Sequence, residues 1–185
     1  EMKTLVMISP TAMENWKGFA RKLLTHRNPY TGLTWGEDPA LYSINLVNEN
    51  PLLVIWNRNP ALIPFYEAKY AEYLKAKGLD TPANRESRGG LFIDFLNDLQ
   101  IRSIEEQKRF LRDELKVPVL ITDLNMVSKY TLDPVRQHLE FIDNHQYWDH
   151  PGFPVQQWQM PYSFANNSSI NRNAYNPRYL MPTRI

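Results

Sequence analysis

An α/β architecture is predicted by three features of this sequence. Short apolar runs alternate with segments of helical periodicity, and those helices are long enough to cross over between parallel strands. All three central strand candidates also end in hydrogen-bonding or ionisable residues, where open α/β sheets carry their ligand groups.

Residues 3–9 form a short apolar run that reads as a strand. Thr11-Ala12-Met13-Glu14 then has the spacing of a capping box, and Trp16, Phe19, Ala20, Leu23 and Leu24 recur as one apolar helical stripe. Asn28-Pro29-Tyr30-Thr31-Gly32 ends that helix in a loop. Residues 41–47 are nearly all apolar or small, as in a strand buried on both faces, and the run stops at Asn48-Glu49-Asn50-Pro51. A second helix is expected over residues 61–77, with Gly78 as its C-cap, and residues 79–90 form a polar connector. A longer helix is expected over 91–115, where Phe92, Phe95, Leu96, Leu99, Ile104 and Leu111 share a face. Residues 117–122 read as a strand delivering Asp123, Leu124 and Asn125, and 139–142 as a shorter one running into residues 143–150. Beyond Pro151 the chain is rich in Pro, Asn, Ser and aromatic residues, without regular periodicity.

The balance of 21 basic and 20 acidic residues among 185 provides no net field for nucleic acid or an anionic membrane, so a neutral partner is expected. No apolar stretch approaches the roughly 20 residues that span a bilayer. With no cysteine, thiolate metal sites and a cysteine nucleophile are excluded. The compartment stays open, a secreted or periplasmic parent included, and any export signal would lie outside the chain. Aromatic residues make up 12%, many of them beside Asn, Pro and Gly, where rings either bind ligands or plug the ends of a sheet.

Glu49 is the first candidate for chemistry, because a carboxyl at the mouth of an apolar strand suits general acid work, with Asn48 and Asn50 offering neutral hydrogen bonds beside it. Capping of the next segment, or pairing with an arginine, accounts for the same residue equally well. His145 and Tyr147, two apart, face one side of an extended segment and can share a pocket with Glu49 across an intervening strand. The competing reading is a core histidine bonded to a backbone carbonyl. A metal site at Asp143, His145, Asp149 and His150 is weaker, since no paired-histidine helical spacing exists, and no metal or cofactor is expected. No Gly-x-Ser-x-Gly elbow and no glycine-rich phosphate loop after a strand occurs.

Taken in order, Leu24-Thr25-His26-Arg27-Asn28-Pro29-Tyr30-Thr31-Gly32, Asp38-Pro39-Ala40-Leu41, Leu46-Val47-Asn48-Glu49-Asn50 and residues 143–151 resemble the cellulase-like glycoside hydrolases of clan A, family 5 and its relatives. The spacing is similar to that of a bacterial branch of the group over about residues 13–169. The resemblance implies a partial (β/α)8 TIM barrel, approximately strands 4 to 6 with their helices. Residues 1–150 would then be the middle portion of the catalytic domain, and 151–185 its irregular C-terminal tail. It also implies retaining hydrolysis of a β-linked oligo- or polysaccharide. Glu49 would be the acid/base, Asn48 would bind the sugar hydroxyl beside the scissile bond, His145 and Tyr147 would orient substrate or carboxylates, and Trp148 would be a sugar platform.

The family's nucleophilic glutamate ends its seventh strand, and no glutamate follows Glu140 here. A full barrel takes about 250 residues and eight strands. The chain is therefore expected to be a fragment of a longer hydrolase, or else to oligomerise through its exposed sheet edges, and to be inactive when isolated. The alternative is a non-catalytic carbohydrate-binding or assembly segment.

Overall fold

The computed structural model describes residues 2–126, 130–145 and 151–163. Helices α1 (Met2–Leu5) and α2 (Pro10–Leu24) lead to strand β1 (Ser43–Asn45), followed by α3 (Leu52–Ile55), α4 (Ile63–Ala76), α5 (Pro82–Glu86) and α6 (Gly90–Arg109). A π-helical turn, Phe110–Glu114, then leads to β2 (Leu120–Thr122), and α7 (Asp133–Arg136) follows. The strands form a two-stranded parallel sheet, with Ser43 opposite Leu120, Ile44 opposite Ile121 and Asn45 opposite Thr122.

This arrangement overturns the partial TIM barrel. Helices dominate the described residues, and the sheet has two short strands instead of three flanked by crossovers. Residues 139–142 run beside β2 without forming a strand. Glu140 N–H donates to the Ile121 carbonyl (3.1 Å), but the Ile121 N–H is taken by the Glu140 carboxylate at 2.7 Å instead of by a carbonyl. Arg112 holds that carboxylate through both oxygens at 2.8 Å, so a side-chain clamp replaces the ladder. The expected strand over residues 3–9 is instead helix α1 and its continuing turn, with Ser9 N–H donating to the Leu5 carbonyl. A short apolar run does not distinguish strand from buried helix by period, and here a helical turn buries Val6 and Met7.

Several local signals hold with shifted boundaries. Helix α2 is capped by Ser9, whose hydroxyl accepts the Ala12 N–H, with Pro10 as its first residue; the cap therefore lies two residues before the expected Thr11. Gly78 terminates α4 at φ +69°, a conformation that costs a side-chain-bearing residue energy. The connector at 79–90 contains α5, capped by Thr81.

Two clusters make up the core. One is helical, with Leu52, Tyr66, Tyr70, Leu74, Phe92, Phe95 and Leu96 packed on Val6 and Met13. The other surrounds the sheet and contains Ala20, Leu24, Leu46, Ile104, Phe110, Leu111, Ile121, Leu124 and Val135. Trp16 and Val47 pack against both. The Trp16 indole N–H donates to the Leu46 carbonyl at 3.0 Å, tying α2 to the exit of β1 and fixing where Asn48 and Glu49 emerge.

Candidate functional site

Both strands release polar residues at their carboxyl ends, and these residues meet. Past β1, Asn48 is exposed, Glu49 is partly buried and Asn50 is turned into the interior. That divergence requires a sharp turn, and Glu49 makes it in the left-handed region at φ 53°. Past β2, Leu124 does the same at φ 60°. Such conformations cost about 1 kcal/mol or more for residues other than glycine, so surrounding bonds must hold them.

For Glu49 they come from Asn125, and for Leu124 from Asn50 Oδ1, which accepts its N–H at 3.4 Å. Asn125 Oδ1 accepts the Glu49 backbone N–H at 2.6 Å, and its Nδ2 donates to Asn48 Oδ1 at 3.2 Å. The same Nδ2 lies 2.9 Å from His145 Nε2, while the Asn125 carbonyl accepts the His145 backbone N–H at 2.9 Å. His145 Nδ1 in turn lies 3.0 Å from Glu49 Oε1. Glu49 and His145, 96 positions apart in sequence, are thus in direct contact. Their side chains are 33% and 31% exposed, so both reach solvent and could reach a ligand. Lys3 Nζ stands 3.8 Å from Glu49 Oε2.

Segment 140–145 is held by bonds to β2 and to α7. Thr122 Oγ1 donates to the Phe141 carbonyl (2.8 Å), Glu140 N–H to the Ile121 carbonyl, and Arg136 Nη2 to Asn144 Oδ1 (3.1 Å). The expected third strand therefore survives as a tether, and it still delivers His145 to the sheet edge.

A second carboxyl lies behind this cluster. Asp123 is 1% exposed and accepts N–H donors from Val47 (3.2 Å), Asn50 Nδ2 (3.0 Å) and Gln100 Nε2 (3.2 Å). Burial pushes its carboxyl up to about 7, against these donors, which favour the ionised form. Gln100 also donates to the Asn50 carbonyl and accepts the Leu52 N–H, which locks the start of α3 to α6.

Of the residues expected at the site, Asn48, Glu49 and His145 come together, whereas Tyr147 and Trp148 lie outside the described residues. The sequence reading assigned no part to Lys3, Gln100 or the Asn125 amide. Gln100 carried a signal, being a polar residue four positions after Leu96 on the apolar face of α6. Asn125 carried only its place at a strand end. The motif over residues 24–32 precedes β1 in the sequence, and its loop hydrogen bonds run within residues 21–36 instead of to Asn48, Glu49 or His145. Among the described residues, no group of three or more His, Asp or Glu side chains is placed to hold a metal ion. No described helix is long and apolar enough to cross a membrane.

The fold and site together define a helix-rich chain with a small parallel sheet whose carboxyl edge carries a carboxylate–imidazole–amide cluster. No family model matches this chain, and neither a curated protein nor a solved structure is significantly similar to it.

Proposed function

We propose that this chain carries the acid/base half of a retaining glycoside hydrolase site acting on β-linked glycans, with Glu49 as the acid/base and Asn48 and His145 as substrate-binding and orienting groups. The observation that carries this reading is the 3.0 Å contact between His145 and a solvent-reachable Glu49 at the carboxyl edge of a parallel sheet. An exposed amide, Asn48, is tied into the same network.

In this reading the Glu49 carboxyl gives its proton to the glycosidic oxygen as the bond to the anomeric carbon breaks, while a second carboxylate attacks that carbon and forms a glycosyl ester. The Glu49 carboxylate then takes a proton from water, whose oxygen displaces the ester. Retaining chemistry needs the two carboxyls about 5 to 5.5 Å apart. Asp123 cannot be the attacking group, because it is buried and its oxygens are occupied by Val47, Asn50 and Gln100. The reading therefore needs a further carboxylate that the Glu49 cluster does not itself contain, and the chain alone is expected to bind without turnover.

Calorimetric titration with β-linked oligosaccharides tests the binding half. Binding by the chain, weakened about tenfold or more by Asn48→Ala and retained by Glu49→Gln, is the expected result; absence of binding overturns the reading. In a protein that contains this chain and cleaves glycosides, Glu49→Gln should abolish turnover of substrates with poor leaving groups, and unchanged turnover removes Glu49 from the role.

A further inference from the structure

We infer that Asn125 is a positioning residue that sets the tautomer of His145, and through it decides which Glu49 oxygen carries the acid proton. The part concerning Glu49 rests on the reading of that residue as an acid/base, whereas the position of the His145 ring hydrogen does not.

The backbone N–H of Glu49 can only donate. It points at Asn125 Oδ1 from 2.6 Å, so the amide oxygen must be the atom facing it. The other end of the amide is then the NH2 group, and it faces Asn48 Oδ1 at 3.2 Å and His145 Nε2 at 2.9 Å. An NH2 group offers two hydrogens and no acceptor in its plane, so His145 Nε2 must accept one of them. The ring hydrogen therefore sits on Nδ1, 3.0 Å from Glu49 Oε1, and is donated to it. Turning the amide over would set NH2 against the Glu49 N–H and oppose two donors.

The consequence lies at the carboxyl. With Oε1 accepting from His145, the proton that Glu49 delivers as an acid is placed on Oε2, the oxygen that faces Lys3 from 3.8 Å. One amide thus orients two groups at once, for it holds the left-handed turn that presents Glu49 and fixes the direction of the hydrogen bond between the imidazole and the carboxyl. Two Asn125 atoms besides Nδ2 take part, since the backbone carbonyl accepts the His145 N–H at 2.9 Å. At 4% exposure Asn125 has little room to adopt another arrangement.

Long-range proton–nitrogen correlation on the full chain labelled with 15N-histidine reads the tautomer directly. The four histidines are separated by assigning His145 with a His145→Gln variant. At a pH of about 8.5, roughly two units above an ordinary histidine, His145 should show the Nδ1–H form, the minor tautomer of a free histidine. Asn125→Asp has nearly the same shape but replaces the NH2 with an acceptor, and should place a hydrogen on Nε2, with Nδ1 still donating to Glu49. An Nε2–H pattern in the unmodified chain overturns the inference, as does an unchanged His145 spectrum in a folded Asn125→Asp variant. Where that variant does not fold, the spectrum of the unmodified chain decides alone. If the Nδ1–H form is found but oligosaccharides are not bound, the proposed function fails while the positioning role of Asn125 stands.

Discussion

The tips of β1 and β2 are built alike and put their carboxyls to opposite use. Each strand leads into a short run of polar residues, and each tip contains a residue other than glycine in the left-handed region, Glu49 at φ 53° and Leu124 at φ 60°. Asp123 follows β2 immediately and stays in the interior, where Val47, Asn50 and Gln100 surround it with donors. Glu49 lies four positions past the end of β1, and its turn lifts the carboxyl out to a third exposed, beside an imidazole. Position at a strand tip therefore does not make a carboxylate functional. The distance travelled past the last ladder bond, and the direction of the turn, determine whether it becomes a structural hub or a group that a ligand can reach.

Substitution of the two acids gives the largest contrast. Asp123→Leu removes the acceptor of three N–H donors, two of them on buried side chains, and leaves Val47 N–H and Asn50 Nδ2 without it, while the Gln100 amide keeps only the Asn50 carbonyl. Each orphaned donor costs about 1–3 kcal/mol, so a loss of at least about 2 kcal/mol is expected in urea denaturation. Glu49→Gln keeps the shape of a half-exposed side chain and should change stability by less than about 1 kcal/mol. Equal losses from the two variants would break the comparison.

The dependence on pH sharpens it. Burial raises the Asp123 carboxyl from an ordinary 3.8 to about 7, so the native state holds this proton more tightly than the unfolded chain does. The stabilisation that results is fully present below the unfolded value near 3.8 and is lost as pH rises through about 7. Stability should fall with rising pH across that window, at up to about 1.4 kcal/mol per unit. Asp123→Asn removes the titrating group and should flatten that part of the profile. It also carries its own NH2 group into a cluster of donors, so it should be less stable than the native chain at pH 5. A profile with the same slope in both proteins would assign the pH dependence to other groups.

Much of the local structure was legible in the sequence, because helix stripes and breakers act over a few residues. Trp16, Ala20 and Leu24 share one helix, Gly78 ends another, and the apolar runs ahead of Glu49 and Asp123 do contain strands. The barrel was not there to be read in the described residues, and the third strand failed for a reason that no periodicity reveals. Glu140, held by Arg112 from 28 positions away, takes the Ile121 N–H that a neighbouring strand would have bonded. The candidate site follows the same division. Asn48, Glu49 and His145 were legible as polar ends of apolar runs, whereas Asn125 and Gln100 act through contacts spanning 20 to 77 positions, which sequence spacing does not encode.

The smallest effect is expected where the two tips differ most in their access to water. Lys3 lies near Glu49 Oε2, but at 3.8 Å, with its own side chain 46% exposed and the carboxylate 33% exposed. Exposed pairs of this kind contribute between nothing and about 1 kcal/mol, because water and salt screen them and two flexible side chains must be held. Lys3→Ala should therefore lower stability by less than about 0.5 kcal/mol in urea denaturation, with no measurable difference at high salt. It should also leave the ring hydrogen of His145 on Nδ1, since Asn125 and not the lysine sets it. A loss above about 1 kcal/mol, persisting in salt, would mean that the Glu49 carboxylate is shielded from solvent as Asp123 is, and the two tips would then differ in degree instead of in kind.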